Sequence, residues 1–346
     1  MDRCVLKADC WQFVKAASVK AGVEAEEAGV LADVLVWNDL VGRMTQGAAR
    51  LEIYLRRVMR GLIRSPVTAV PFQRSHTTAI LDGQGGLGPV NARKAMNHAI
   101  TLAQEHGIGI VGVNNSNHFG TAAYFINMAT QANMLGFAFS NATPKVTHPH
   151  GKTPFIGTNP LGFGAPMANG RSLLVDMATS ASAGSTIRQK IEIHENLPPA
   201  TVRSIDVSDK IKHETASPVL LPAAGGKGLA LGMMVEILSG VITGSSISHQ
   251  VGSLYHSWDK SLNTGHLFMA VAIEPFLPLT AYFERMAYLI DMLKTVEPLT
   301  PEAELLYPGE KRWQLYEENT KSGIPFTNKT IDQLNQLAIE LDIQPL

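Results

Sequence analysis

Apolar residues recur at helical spacing through the first part of the chain. From Glu24 to Asn38 they fall three or four positions apart, which is the spacing of one buried helix face. A second stripe runs from Gln46 to Ile63, and its arginines fall on other faces. A loop with Pro66 and Pro71 ends this region, since proline lacks the amide hydrogen that a helix needs. The pattern predicts an N-terminal helical region.

The pattern changes at Thr77, where short apolar runs begin to alternate with helical stretches. TTAILDG is typical of a strand that enters a glycine turn, and a helix is predicted from Pro89 to His106. GIGIVGV is a continuous apolar run, which indicates a strand buried on both faces. A helix is predicted from Ala122 to Asn133, and strands are predicted at LGFAFS, IGTNPLGFGAP and SLLVDMA. This alternation predicts an α/β fold.

The last part of the chain combines one apolar helix, one strand and further helices. The segment from Gly225 to Ile242 is apolar around much of its circumference, so it is predicted to be a buried helix. HLFMAVAI is predicted to be another strand. Helices are predicted from about Thr280 to Thr295 and from Thr330 to Leu341, around a loop at Tyr307 to Glu310. The segment from Ser180 to Pro218 is polar and irregular, so no element is assigned to it.

Composition narrows the class of partner. The 346 residues carry a formal net charge of −1, which gives no long-range attraction to nucleic acid or an anionic membrane. Only 17% are charged, and either a large core or surface buried against another subunit explains this low fraction. With two cysteines, no apolar run of membrane-spanning length and a start broken by Lys7 and Asp9, we expect a cytoplasmic protein without a signal peptide. A small-molecule partner is favoured.

Two glycine-rich segments match the dinucleotide-binding fingerprint of the Rossmann fold. Gly83 to Gly88 lies between a predicted strand and a predicted helix, as the fingerprint requires. However, Pro89 follows at once, and no acidic residue ends a second strand about twenty residues later. Gly107 to Gly112 lies inside a predicted strand, so it is not a phosphate-binding loop. A Rossmann dehydrogenase that uses Gly83 to Gly88 remains an alternative.

Three residues are candidates for acid–base chemistry and substrate binding. His118 lies where a buried strand ends and a helix begins, and a histidine there can exchange a proton with a substrate oxygen near neutral pH. The alternative is a histidine that only caps the loop. Arg50 and Tyr54 lie four residues apart on one helix face, and a guanidinium can bind a carboxylate through two parallel hydrogen bonds. A solvated arginine beside a packed tyrosine has the same spacing.

Two further motifs partly match a metal site and a P-loop, but neither match is complete. His148 and His150 have the spacing of a metal-ligand pair, but no third ligand follows nearby, so we expect no metal. Lys227 follows Gly225 and Gly226 at the start of a predicted helix, where it can reach a phosphate or a carboxylate. The segment lacks the first glycine and the final Ser or Thr of a P-loop, so nucleoside triphosphate hydrolysis is disfavoured.

Together these segments resemble one family. The chain is similar to the malate/L-lactate dehydrogenase family of NAD(P)-dependent oxidoreductases, which includes ureidoglycolate dehydrogenase, diketogulonate reductase, sulfolactate dehydrogenase and the reductases of cyclic imino acids. The resemblance covers about residues 26 to 325 and is carried by AILDGQGGLG, NNSNHFGTAAYF, IGTNPLGFGAP, LLVDMATS, LLPAAGGKGLALGMMVEILSGVITG, GHLFMAVAIEPF and YPGE.

The resemblance implies a non-Rossmann α/β (α+β) fold with a largely antiparallel cofactor-binding sheet. Residues 1–115 plus 277–346 would form a helical, substrate-side domain from both chain ends, and residues 116–276 would form the cofactor-binding domain. It also implies a homodimer with the active site near the interface. The expected cofactor is NAD or NADP, with NAD favoured. The expected partner is a small carboxylate substrate, with no nucleic acid and no membrane.

The resemblance also assigns roles to residues. His118 would be the catalytic histidine, while Gln46, Arg50 and Tyr54 would lie on the substrate side. In this assignment the Gly83 to Gly88 turn is a family feature and not a dinucleotide loop. The residues placed at the cofactor are Ala142, Asp176, Met177, Ala178, Lys227, Pro308, Gly309 and Glu310.

Two departures from the family pattern bear on activity. Gln46 stands where relatives have a histidine that is the proton donor in some of them, and a glutamine amide cannot titrate. Thr186 stands where many relatives have a lysine. The favoured function is hydride transfer between a nicotinamide cofactor and a small 2-oxo or 2-hydroxy acid or a cyclic 2-imino acid, with His118 as the proton donor. The alternative is an impaired homologue that binds nucleotide or a partner without turnover.

Overall fold

The computed structural model describes residues 3–184, 187, 202 and 219–346. Its helices are α1 (Lys7–Lys20), α2 (Ala25–Leu40), α3 (Leu51–Met59), α4 (Gly88–His106), α5 (Ala122–Gln131), α6 (Gly226–Glu236), α7 (Leu279–Lys294), α8 (Glu310–Ser322) and α9 (Asn328–Leu341). Its strands are β1 (Arg3–Val5), β2 (Phe72–Gln73), β3 (Thr78–Asp82), β4 (Ile108–Ser116), β5 (Met134–Ser140), β6 (Val146–Thr147), β7 (Pro154–Ile156), β8 (Leu161–Pro166), β9 (Ser172–Met177), β10 (Thr264–Ala272) and β11 (Ile324–Phe326).

Seven strands form one sheet in the order β2-β3-β4-β10-β5-β8-β9. β3 and β4 are parallel, and every other neighbouring pair in this sheet is antiparallel. The predicted largely antiparallel sheet is therefore confirmed. A Rossmann domain is built from repeated parallel βαβ units, whereas this sheet contains one such unit, β3-α4-β4. The Rossmann alternative is wrong.

Two helices cover one face of the sheet at close range. A Cβ on Gly109 of β4 would lie 2.0 Å from the carbonyl oxygen of Ala99 in α4. A Cβ on Gly136 of β5 would lie 2.7 Å from the carbonyl oxygen of Ile126 in α5. Any larger residue at either position would overlap helix backbone, so glycine sets the short distance between sheet and helices.

The two ends of the chain meet in a second core. β1 and β11 form an antiparallel pair in which Arg3 lies opposite Phe326. The core that they join also contains buried residues of α1, α2, α3 and α9. The prediction of a helical portion built from both chain ends is confirmed. The domain bounds stay a prediction, and β2, β3 and β4 of the N-terminal segment lie in the large sheet.

Two helical segments differ from the prediction. Residues 46–63 do not form one helix, because Gly47 adopts an extended conformation (φ −93°, ψ −143°) between two 3-10 turns that precede α3. The apolar pattern does not predict α8, since apart from Trp313, Leu315 and Tyr316 its sequence is polar. Hydrophobic periodicity cannot detect a helix with so few apolar positions.

The apolar segment from 225 to 242 is helical but not buried as predicted. α6 continues into a π-helical turn, Ile237–Val241. Met233, Ile237 and Ile242 are 41%, 49% and 62% exposed, respectively. The prediction of burial is wrong for this chain taken alone, because nothing in the described part of the chain covers these side chains.

Neither a membrane-spanning helix nor a cluster of metal ligands is found among the described residues. No helix in the ranges given above is long and apolar enough to cross a membrane. Within the same ranges, no three His, Cys, Asp or Glu side chains lie close enough together to hold a metal ion. The Nδ1 atom of His148 accepts a hydrogen bond from the backbone amide of His150 at 3.1 Å.

Candidate active site

A cavity of about 440 Å³ lies where β4, β5 and β9 end, beside the turns that precede α3. Its lining comes from several stretches of chain that only folding brings together. It unites seven of the residues that the sequence assigned to the site: Gln46, Arg50, His118, Ala142, Asp176, Met177 and Ala178.

The turn from Gly83 to Gly88 supports the loop that carries His118. The Asn117 side-chain amide donates to the carbonyl oxygens of Gly85 and Gly86 at 2.8 and 2.9 Å. A Cβ on Gly88 would lie 2.2 Å from the Asn117 carbonyl oxygen and 2.3 Å from that of His118. The turn that resembles a dinucleotide fingerprint therefore supports the histidine loop, and glycine is required for the close approach.

A second histidine holds the same loop from the sheet. His266 on β10 is fully buried, and its Nε2 donates to the Asn117 carbonyl oxygen at 3.1 Å. Its Nδ1 lies 2.9 Å from the hydroxyl of Ser140. Burial lowers the pKa of His266 to about 3, so the ring is neutral. Sequence analysis missed this residue, although an imidazole within the apolar run HLFMAVAI is a signal for a buried polar contact.

Tyr54 contacts the catalytic candidate directly. Its side chain is only 1% exposed, and its hydroxyl lies 2.5 Å from Nδ1 of His118. The backbone amide of Gly120 also donates to Nδ1, at 3.3 Å. Since Nδ1 accepts from an amide, we assign the hydrogen of the neutral ring to Nε2. Tyr54 thus orients His118 and is not itself part of the cavity lining.

The surroundings keep His118 uncharged. Burial, followed by the positive charge of Arg50, the electrostatic interaction with His266 and the positive charge of Lys145, lowers the pKa of His118 to about 3. Burial raises the pKa of the Tyr54 hydroxyl well above its usual value. Near neutral pH the site therefore contains a neutral imidazole and a protonated phenol.

Arg50 lies at the end of the second 3-10 turn, next to the start of α3. Its side chain is largely buried, and its Nε donates to the Thr45 carbonyl oxygen at 2.7 Å. Its guanidinium lies 5.6 Å from the centre of the Tyr255 ring. These contacts fix a planar cation at the edge of the cavity, which suits it to bind a carboxylate.

The turn that carries Gln46 depends on a buried carboxyl group. Oδ2 of Asp39 accepts the backbone amide of Ala48 at 2.7 Å, and burial raises the pKa of Asp39 well above its usual value. A Cβ on Gly47 would lie 1.8 Å from Oδ1 of Asp39. The Gln46 Oε1 atom is buried and has no hydrogen-bond partner among the described residues, so it offers an acceptor to a ligand in the cavity.

A buried polar network supports the part of the cavity assigned to the cofactor. The backbone amide of Ala142 donates to Oδ1 of Asn159 at 3.2 Å. The Asn159 side-chain amide donates to Oε2 of Glu236 at 2.6 Å. Oε1 of Glu236 accepts the backbone amide of Ser248 at 2.8 Å. The position of Ala142 therefore depends on α6 and on the turn that follows it.

Asp176 is already engaged in an ion pair. Its Oδ2 lies 3.0 Å from Nη1 of Arg312 in α8, and each of the two side chains is 11% exposed. Arg43 also lines the cavity, and burial together with the nearby charge of Arg312 lowers its pKa. Sequence analysis named neither Arg43 nor Lys145, another cation in the lining, because an isolated basic residue in a loop has no recognisable pattern.

The remaining cofactor candidates lie outside the cavity lining. Lys227 is exposed near the N-terminus of α6. The Pro308 carbonyl oxygen accepts the backbone amide of Leu174 at 2.8 Å, which attaches the start of α8 to β9. Oε2 of Glu310 accepts from Lys294 Nζ at 2.6 Å. A cofactor role for Lys227 and for residues 308–310 stays a prediction, and Thr186 lies outside the described residues.

Comparison with known proteins gives one consistent result. Residues 7–335 match the family model described as malate/L-lactate dehydrogenase. The chain is 33% identical to malate dehydrogenase of Pyrococcus abyssi, over 98% of this chain and 95% of that protein. It is 31% identical to the ureidoglycolate dehydrogenase (NAD(+)) of Escherichia coli O157:H7, over 86% of this chain and 85% of the relative.

Solved structures agree with the sequence matches. The malate dehydrogenase of Pyrococcus horikoshii OT3 superposes with a TM-score of 0.89 at 31% identity and covers 100% of this chain and 97% of its own. The match extends over the sheet, both chain ends and the cavity. The chain belongs to the malate/L-lactate dehydrogenase family, whose members are dehydrogenases acting on hydroxy acids.

Proposed function

We propose that this protein transfers a hydride reversibly between NAD, or NADP, and a small 2-oxo or 2-hydroxy acid. The observation that carries the proposal is one cavity that contains Arg50 beside a His118 oriented by Tyr54. Relatives named malate dehydrogenase and ureidoglycolate dehydrogenase (NAD(+)) support this substrate class and favour NAD.

His118 is proposed to move the proton at Nε2. In the reduction direction the protonated ring donates Nε2–H to the substrate oxygen, which leaves a neutral ring with its hydrogen on Nδ1. In the oxidation direction the neutral ring first moves its hydrogen from Nε2 to Nδ1 and then takes the substrate proton at Nε2. The Tyr54 hydroxyl can accept as well as donate, so it keeps its bond to Nδ1 whichever nitrogen carries the hydrogen. Tyr54 thus holds the ring in place in both directions.

Arg50 is proposed to bind the substrate carboxylate. Two parallel hydrogen bonds from a guanidinium fix the orientation of the acid and bring its 2-carbon to the histidine. The positive charge of Arg50 lowers the pKa of His118 in the empty cavity. A bound carboxylate offsets that charge and so raises the pKa of His118. Substrate binding therefore favours the protonated ring that reduction requires.

The cavity residues fit a nicotinamide dinucleotide. When bound, this cofactor supplies or accepts the hydride. Ala142 and residues 176–178 line the same cavity as His118, so they would hold it next to the proton donor. A Cβ on Gly226 at the start of α6 would meet no atom of the described residues within 4 Å, which leaves room for a phosphate that Lys227 would bind.

The assay is oxidation of NADH and NADPH by the purified protein with oxaloacetate, pyruvate and a cyclic imino acid. We expect turnover with at least one acid, a preference for NADH, and a loss of ~10²-fold or more in kcat for His118→Ala. No cofactor oxidation with any of these acids would overturn the proposal and favour a protein that binds nucleotide without turnover.

We also propose a cytoplasmic homodimer. The exposed apolar side chains of α6 and its π turn form one surface that a second copy can cover. α7 has no buried residue along its 16 positions, yet it carries Tyr288 and Leu289, which are 66% and 58% exposed. Cys4 and Cys10 are both free thiols, which supports a reducing compartment.

A further inference from the structure

Two walls of the cavity come from stretches of chain that lie far apart in the sequence. One wall includes Gln46 and Arg50, in the turns before α3, and the other includes His118 and Thr121, in the loop after β4. In the proposed function the first wall binds the substrate carboxylate and the second moves the proton. The distance between the walls therefore decides whether the reacting oxygen of a bound acid meets the histidine.

Asn38, in the last turn of α2, contacts both walls. Its Nδ2 donates to the Gln46 carbonyl oxygen at 3.0 Å, and its Oδ1 accepts from the Thr121 hydroxyl at 2.5 Å. A Cβ on Gly120 would lie 3.3 Å from the same Nδ2. Asn38 is fully buried, so water does not compete for these bonds. One amide group thus joins the turn that carries Gln46 to the histidine loop.

The orientation of the Asn38 amide follows from its partners. A backbone carbonyl oxygen can only accept, so the atom that faces the Gln46 carbonyl is the side-chain nitrogen. The side-chain oxygen then faces Thr121, and the threonine hydroxyl donates to it. A reversed amide would place two oxygens against each other at Gln46. The contact therefore specifies one relative arrangement of the two walls.

The next residue of α2 holds the same turn from its other side. Oδ2 of Asp39 accepts the Ala48 amide, so two consecutive side chains bind the backbone on both sides of Gly47. Tyr54 bonds the ring of the catalytic histidine. Asn38 instead bonds the loop on which that histidine stands, so the two residues fix different parts of the site.

We propose that Asn38 is a positioning residue for hydride transfer, which sets the distance between the carboxylate-binding wall and the proton-donating wall. The inference rests on the proposed function, in which Arg50 and His118 act on the same substrate molecule. Asn38 lies outside the cavity lining, so it acts through Gln46 and Thr121. Loss of its amide leaves a buried carbonyl oxygen and a buried hydroxyl without these bonds, and each wall then relaxes separately.

The first test removes the amide and measures the rate. Asn38→Leu has a similar shape but can neither donate nor accept, so it should lower kcat by about tenfold or more while the Kd for NADH stays the same. The matched control is Asn319→Leu, since the Asn319 amide donates to the Leu40 carbonyl oxygen at 2.9 Å, at the end of the same helix but outside the cavity lining. Both variants should unfold at lower urea concentration, but only Asn38→Leu should lose kcat.

Thr121 provides a second test that leaves Asn38 in place. Thr121→Val keeps the shape and removes the hydroxyl donor, so it should lower kcat, whereas Thr121→Ser keeps the donor and should retain most of kcat. Because Asn38 acts through Thr121, the double variant Asn38→Leu/Thr121→Val should lose no more rate than Asn38→Leu alone. Rate losses that multiply in the double variant would overturn the inference.

Amide hydrogen exchange separates this inference from the proposed function, because it needs no turnover. In Asn38→Leu, residues 45–50 and 118–122 should both exchange faster than in the unmodified protein, and in Asn319→Leu neither segment should change. A protein that oxidises no cofactor but shows this paired change would refute the proposed function and still support Asn38 as the link. Unchanged exchange in either segment, or an equal loss of kcat in both asparagine variants, would overturn the inference.

Discussion

At the scale of single residues, the environment of His118 sets the pH dependence. Its pKa of about 3 leaves the ring neutral from pH 5 to pH 8. Oxidation needs the neutral ring, so its kcat/KM should be constant over this range. Reduction needs the protonated ring, so its kcat/KM should fall about tenfold for each pH unit. Steady-state rates in both directions test this, and a break near pH 6.5, the usual histidine value, would contradict it.

The hydrogen bond from Tyr54 can be removed with little change in shape. Tyr54→Phe should lower kcat by about tenfold or more, because His118 is no longer held in the reactive orientation, while the KM for the cofactor stays the same. Tyr288→Phe is the matched control, since that side chain is 66% exposed on α7. Equal activity of the two variants would show that Tyr54 only fills space.

The site residues that could be predicted from the sequence are those that a pattern of neighbouring residues marks. Position made His118, at a strand end, and Arg50, four residues before Tyr54, candidates, and the family resemblance assigned their roles. The contact of Tyr54 with His118 joins residues 64 positions apart, and no local pattern encodes it. Lys145 and His266 are isolated residues whose roles depend on chain segments that pack against them only in the folded protein.

At the scale of elements, the start of α4 supports the histidine loop. Gly88→Ala would place a methyl group 2.2 Å from a backbone oxygen of that loop, so the loop must move. We expect a loss of about 1–3 kcal/mol in the free energy of unfolding and at least a tenfold loss of kcat. Urea denaturation and steady-state assays of the same preparation measure both.

A helix glycine without such a contact provides the control. In Gly29→Ala of α2 the new Cβ meets one atom in the described part of the chain, in the ring of Trp11 at 4.0 Å. It should stabilise the protein by roughly 0.5–1 kcal/mol, because alanine favours helix, and leave kcat unchanged. If Gly88→Ala behaved like this control, the support of the loop by α4 would be refuted.

The elements themselves were predictable where apolar periodicity is strong. α4 and α5 follow the pattern to within two residues at each end, and β4 extends three residues beyond the predicted apolar run. The pattern does not find α8, whose stability comes from tertiary contacts such as the hydrogen bond from Trp313 Nε1 to the Ser172 carbonyl oxygen at 2.8 Å. Burial of α6 was predicted from its apolar sequence, but burial depends on what lies opposite the helix.

At the scale of the whole molecule, the exposed face of α6 predicts the oligomeric state. Ile237→Glu should convert a dimer into monomers, because a carboxylate cannot be buried in an apolar interface without a large desolvation cost. The matched control is Ile339→Glu on α9, a position that is 68% exposed. Sedimentation velocity distinguishes the two states, and an unmodified protein that sediments as a monomer would refute the dimer.

The anchoring of the histidine loop has a consequence for thermal inactivation. β4 is paired on both sides, with β3 and β10, and Asn117 directly after it is held by the glycine turn and by His266. Amides in such a strand exchange with solvent only when the entire domain opens. No partial opening would release His118, so activity should persist on heating until the fold itself melts.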